Sequence, residues 1–252
     1  MAQMATLEVW RGDASGGSLR PYRVPFEEGM VLLDVIHVLQ ATQAGDLAVR
    51  WNCKAGKCGS CSAEVNGKPR LMCMTRMSSL DTSVPITIAP LKTFPVLRDL
   101  VTDVSFNFEM AKRVPAFKPG PRPPEGYRMM QEDIDRPQEF HKCIECFLYQ
   151  NVCHVIRDHD ENKQHFAGPR LFVRYAALEM HPLDTNDRRA LLKDKMGLGM
   201  CNITKCCTEV CPENIRITDN AIIPLKERVA DEFYDPLKMA WRKVTGKDSK
   251  SG

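Results

Sequence analysis

The sequence predicts an α+β chain in two parts: a small β-rich domain over residues 1–106 and a helical domain over 133–252, joined by a proline-rich linker over 107–132. Three observations predict it. Short stretches that alternate apolar and polar residues crowd the first part, the period of half-buried strands. Apolar residues at helical spacing dominate the last part. Between them, VPAFKPGPRPP (114–124) holds five prolines, a composition that stays extended and semi-rigid.

Each element follows from a local signal. Residues 6–11 and 20–25 alternate like two strands, with GDASGG (12–17) as their turn. VLLDVIHVLQA (31–41) places its apolar residues on one helical face. AEVNGKP (63–69) carries the Asn66-Gly67 hairpin dipeptide, and VPITIAP (84–90) alternates again. Further on, Arg170 to Glu179 and Thr185 to Leu192 read as helices, the second opening on a Thr/Asn cap. Tyr234 to Val244 also reads as helix.

Composition narrows the function. The 252 residues carry 35 basic and 32 acidic side chains, a net charge of +3, which does not suggest a nucleic-acid partner. Eleven cysteines are too many to ignore, but the odd number and the length argue against a disulfide scaffold. Met1 to Arg11 lacks the apolar core of a secretion signal, and Met30 to Ala41 is interrupted by Asp34 and His37, so no membrane span is predicted. A soluble subunit in a reducing compartment is the expectation.

Ten of the eleven cysteines form three spaced groups: Cys53, Cys58, Cys61 and Cys73; then Cys143, Cys146 and Cys153; then Cys201, Cys207 and Cys211. The first has the C-x4-C-x2-C…C spacing of a plant-type [2Fe–2S] site. Gly56 and Gly59 let its loop wrap tightly and aim amide N–H groups at sulfur, and Lys54 and Lys57 offset negative charge. Zinc is the competing reading, but zinc ribbons pair two short knuckles rather than crowding three cysteines into one loop.

The other two groups fit C-x2-C-x2-C-x3-C-P used twice, in which the last cysteine of each run ligates the other run's cluster. Cys143, Cys146 and the Tyr149 position then share a cubane with Cys211; Cys201, the Thr204 position and Cys207 share one with Cys153. Each is one thiolate short. At Thr204 the natural outcome is a [3Fe–4S] cluster. At Tyr149 three readings stand: a second three-iron cluster, a [4Fe–4S] cluster with a non-cysteine or open corner, or a substitution particular to this sequence. The favoured one is a [4Fe–4S] cluster held by at least three cysteines. Cys206, the spare, reads as a small buried hydrophobe. The basic tail, Lys238, Arg242, Lys243, Lys247 and Lys250, reads as a solvated end, with an anionic membrane surface or acidic partner as the sharper alternative.

With these motifs in this order, and with PLKTFPVLRDLVTD (90–103) between them, the chain resembles the iron–sulfur subunits of succinate dehydrogenase and fumarate reductase, the respiratory complex II family. The resemblance covers nearly the whole length. It implies a β-grasp plant-type ferredoxin domain followed by an all-helical bacterial-ferredoxin-like domain. It also implies single electrons passing from an FAD-containing subunit through [2Fe–2S], [4Fe–4S] and [3Fe–4S] clusters to quinone at a membrane anchor subunit. It places the chain as a peripheral subunit on the cytoplasmic face of a bacterial plasma membrane.

Two departures stand out. Cys153 is followed by His154 where the family usually has proline, and Cys201 by Asn202 where many members have histidine. The usual quinone contacts are not carried over, and His154 and Arg157 become the quinone-side candidates. The alternative function is a fumarate reductase subunit with a thiol or other non-quinone partner. No phosphate loop, GxGxxG or nucleophile pattern suggests substrate chemistry on the chain itself. Dicarboxylate oxidation would take place on a partner flavoprotein.

Overall fold

Alternation along β1 (Gln3–Asp13) turns Ala5, Leu7 and Val9 into the core, so one face of the strand is buried while Glu8 and Trp10 stay partly exposed. The computed structural model describes residues 3–245. β2 (Gly16–Phe26) runs antiparallel to β1 in register from Gln3↔Phe26 to Asp13↔Gly16. Both strands are longer than the alternation alone suggested. Only Ala14 and Ser15 are left to turn, and the Ser15 N–H and hydroxyl both donate to Asp13 Oδ1, at 2.8 and 2.6 Å.

α1 (Leu32–Thr42) packs on β2 through a face that buries Leu32, Leu33, Val35, Ile36 and Leu39. Asp34 reaches back to accept from the Val31 N–H at 3.2 Å, satisfying one donor of the first turn. β3 (Ser62–Val65) and β4 (Lys68–Leu71) form the expected hairpin, with Asn66 at φ 49° and Gly67 at φ 72°. Two left-handed residues in succession make the turn whose twist matches its strands. β5 (Ile86–Ala89) lies parallel to β1, and β6 (Val96–Arg98) and β7 (Val101–Thr102) complete a sheet of order β4-β3-β5-β1-β6-β7 with β2 paired to β1. A mixed sheet with a helix packed on it is the N-terminal architecture expected.

This first unit ends at Phe106 but also takes in Ile144–Val152; the second unit comprises Asn107–Cys143 and the chain from Cys153 onward. The second is helical. Its segments are α2 (Ser105–Ala111), which begins in the first unit, α3 (Gln131–Gln138), α5 (His154–Arg157), α6 (Gly168–Glu179), α7 (Arg189–Asp194) and α8 (Cys206–Glu209), while the short α4 (Leu148–Asn151) belongs to the first unit. A wide turn over Ile217–Ile222 then leads into α9 (Ile223–Phe233), followed by α10 (Pro236–Thr245). Leu171, Phe172, Tyr175 and Ala176 of α6 pack on Ile217, Ile222 and Leu225 to make the second core.

The carbonyls of the proline-rich stretch are captured by other residues of the same helical unit. The Pro115 and Ala116 oxygens accept from the buried Arg188 guanidinium at 2.9–3.2 Å, and the Lys118 oxygen accepts from the Thr185 N–H at 2.8 Å. Proline removes donors but leaves acceptors, and those acceptors must be satisfied. The helix expected from Thr185 starts instead at Arg189. The Thr185 hydroxyl and Asn186 amide are spent on the Lys118 and Ala116 oxygens rather than on capping. The helix expected from Tyr234 starts at Pro236, where Asp235 accepts from the Leu237 and Lys238 N–H groups as the cap. Lys247 and Lys250 of the basic tail lie outside the described residues.

Candidate iron–sulfur centres

The first cysteine loop is built by the backbone. Lys54, Gly56 and Gly59 have φ of 54°, 67° and 68°, and these left-handed residues coil the chain so that N–H groups face sulfur. The Ala55 and Lys57 N–H groups donate to Cys53 Sγ at 3.3 Å each, Cys53 N–H to Cys58 Sγ at 3.5 Å, and Cys73 N–H to Cys61 Sγ at 3.4 Å. Donors already aimed at thiolates are what a negatively charged cluster needs, so the residues present fit a [2Fe–2S] group. Cys53 is exposed and Cys61 and Cys73 are buried, leaving the loop one wet edge. Lys54 lies 5.0 Å over the Trp51 ring and 3.9 Å from Asp34, so part of its charge is already answered.

The thiols of this loop titrate in opposite directions. Burial raises Cys58, but hydrogen bonds from Ser60 and Cys53 outweigh it and bring the thiol down to about 6. Cys61, three residues on, is pushed up to about 12 by burial. Without metal, the buried thiols keep their protons; binding iron would release them. Among the described residues no three Cys, His, Asp or Glu side chains converge as the ligands of a single ion would.

Cys153 of the second group joins Cys201 and Cys207 of the third in lining one cavity, with Thr204, Cys206 and His154. Burial, with the nearby Cys201 and Cys207 charges, pushes Cys153 up to about 12, and burial likewise raises Cys207. Thr218 Oγ1 sits 3.4 Å from Cys207 Sγ. Three partly buried cysteines lining one cavity, with a threonine at the fourth place, suit a three-iron group. Cys206 is not the buried hydrophobe expected: it is partly exposed, with its sulfur 3.6 Å from His154 Nε2 and 3.4 Å from Thr204 Oγ1. The left-handed Lys205 just before it turns that side chain toward the cavity wall.

The second group is divided between the units. Cys143 and Cys211 lie in the helical unit, where burial first, and then the Cys143 charge, raises the Cys211 thiol. Cys146 and Tyr149 lie in the first unit, 2 % and 1 % exposed. The backbone here repeats that of the third group. Glu145 and Phe147 have φ of 54° and 62°; Ile203 and Lys205, the matching second and fourth residues after the leading cysteine, have φ of 61° and 64°. Each run then enters a four-residue helix, α4 or α8. Tyr149 occupies in α4 the place Cys207 occupies in α8.

Sequence reasoning missed what holds Ile144–Val152 to the first unit. The Asn151 amide donates to Glu64 Oε1 at 2.7 Å and accepts from the Thr93 N–H at 3.1 Å, with all three residues buried. In the sequence only Glu64, set between Ala63 and Val65, hinted at a buried partner.

Comparisons with known proteins agree with this layout. Residues 6–109 match the model of a 2Fe-2S iron-sulfur cluster binding domain, and residues 139–215 that of a 4Fe-4S dicluster domain. The chain is 31% identical over 212 residues to the fumarate reductase iron-sulfur subunit of Mycobacterium tuberculosis, covering 80% of this chain and 82% of that one. It belongs to the family of succinate dehydrogenase and fumarate reductase iron–sulfur subunits. The succinate dehydrogenase iron-sulfur subunit of Bacillus subtilis is 33% identical, covering 79% of this chain and 77% of its own. A chain of the Mycobacterium smegmatis Sdh1 complex in the apo form superposes with a TM-score of 0.92 at 66% identity, over 94% of this chain and 100% of that one. As a family member, the chain is the electron-transfer subunit of an oxidoreductase with [2Fe–2S] and [4Fe–4S] binding domains.

Proposed function

We propose that the chain relays single electrons from an FAD-containing dehydrogenase subunit toward quinone at a membrane anchor subunit, in a succinate:quinone oxidoreductase. Cys53, Cys58, Cys61 and Cys73 hold the [2Fe–2S] cluster. By the crosswise motif, Cys143, Cys146 and Cys211 hold the [4Fe–4S] cluster, with no thiolate at Tyr149. Cys153, Cys201 and Cys207 hold the [3Fe–4S] cluster. The clusters supply reversible one-electron chemistry; the chain's own residues supply thiolates and N–H donors that tune it.

The observation that carries this reading is the backbone repeated in the two C-terminal runs, with left-handed residues at the same two places and a short helix after each. His154 and Arg157 are proposed on the quinone side. His154 borders the cavity of Cys153, Cys201 and Cys207, and Arg157 Nη2 lies 3.4 Å from His154 Nδ1. We place the complex on the cytoplasmic face of a bacterial plasma membrane; an apolar docking surface is supported by α10, whose Leu237, Trp241 and Val244 are 81%, 68% and 84% exposed. Among the described residues no helix is long and apolar enough to cross a membrane.

Counting iron and acid-labile sulfide in the purified complex tests the assignment: about nine irons per chain are expected from two, four and three. Succinate-driven reduction of a quinone analogue tests the partner. Absence of a reducible [2Fe–2S] resonance, or succinate oxidation that never reaches a quinone, overturns the proposal.

A further inference from the structure

The loop that carries the first cysteines and the run that carries the second meet at one glycine. Gly59 lies between Cys58 and Cys61, and a Cβ there would stand 2.6 Å from the Cys146 Cα, 2.9 Å from its N and 3.0 Å from its Cβ. Real side chains do not approach backbone so closely, and the φ of +68° independently disfavours any residue with a Cβ. Gly59 therefore allows direct backbone contact between the two cysteine groups inside a single unit.

One hydroxyl clasps this contact. Ser62 Oγ is 2.9 Å from the Gly59 oxygen and 2.8 Å from the Cys146 oxygen. Its single proton is shared between two carbonyls, one from each group. On the other side of the run, Thr93 Oγ1 donates to the Gln150 oxygen at 3.3 Å, beside the buried Asn151–Glu64 pair. Breaking any of these bonds strands a buried polar group, so the run is held stiffly against the loop.

We infer that Gly59 and Ser62 set the gap for electron transfer between the first and second clusters, with Ser62 as a positioning residue. This rests on the cluster assignment proposed above. The clusters, when bound, would supply a one-electron transfer that makes no bond and moves no proton; the chain's part is to hold the two cysteine groups in contact. Electron tunnelling falls exponentially with separation, so a device that fixes the contact at Gly59 and Cys146 fixes the rate.

The test uses the whole complex reduced with dithionite, reading microwave power saturation of the [2Fe–2S] resonance. A nearby reduced cluster speeds its spin relaxation, so this reports cluster spacing directly. Ser62→Ala is expected to keep wild-type iron content and [2Fe–2S] midpoint potential but to lose part of the relaxation enhancement; Ser62→Thr restores it. Thr93→Val, which removes the hydroxyl that donates to the Gln150 oxygen, gives a smaller loss and decides the matter if Ser62→Ala does not assemble. Unchanged relaxation in whichever of these variants assembles, with all clusters present, overturns the inference. A wild-type complex without the [2Fe–2S] resonance overturns the cluster assignment instead, so the two failures are distinct.

Discussion

In Cys143–Cys153 the backbone turns left-handed at Glu145 and Phe147 and enters α4; in Cys201–Cys211 it does so at Ile203 and Lys205 and enters α8. The turns match, but the thiols do not. The first run has cysteine where the second has Thr204, and tyrosine where the second has Cys207. Holding a bulky or β-branched residue such as Phe147 or Ile203 in the left-handed region costs roughly 1–2 kcal/mol each. Such strain persists only where the surroundings over-determine it. The turn is therefore a property of the loop and its packing, and a single thiolate can be exchanged without losing it. What the exchange alters is the number of irons the loop can hold.

That comparison can be broken or sharpened by substitution. The largest effect is expected from Cys207→Ser, which leaves two thiolates in the second run's pocket. The three-iron resonance should vanish and iron fall by about three per chain. If it survives, the pairing of Cys207 with Cys153 and Cys201 is wrong. Thr204→Cys should act the other way, completing a four-thiolate set and adding about one iron, with loss of the three-iron signal in the same spectrum.

A smaller effect is expected from Tyr149→Phe. If the tyrosine only fills space, iron content and visible spectrum stay as they were. Stability falls by at most roughly 1 kcal/mol on removal of the buried hydroxyl, read by thermal unfolding. Loss of a phenolate-to-iron charge-transfer band would instead make Tyr149 a ligand. The smallest effect belongs to Cys206→Ser. Its sulfur faces His154 and Thr204, and all three cluster resonances should remain in place.

Much of this was legible in the residues, though unevenly. The Asn66-Gly67 hairpin was readable because its signal is local: two residues that accept positive φ between alternating runs. The α1 face was readable because helical period exposes itself in a dozen residues. The anchoring of the proline segment was not readable, because composition describes what a chain does alone, and Arg188 lies 72 residues from the carbonyl it captures at Ala116. Thr185 misled for the same reason: a good capping residue found a better use for its hydroxyl in tertiary structure. Cys206 was misread because exposure depends on a left-handed turn at Lys205, a conformation its residue type does not announce.

By itself, the sequence determined the three cysteine groups, their order, the missing thiolates at Thr204 and Tyr149, and with them the family, because ligand spacing is a covalent property of the chain. Only the tertiary structure decided that Ile144–Val152 belongs with the N-terminal sheet and that Cys146 rests against Gly59 under the Ser62 hydroxyl. Those contacts join residues 84 positions or more apart. They exist because buried donors and acceptors must find one another in space, a requirement no local pattern encodes.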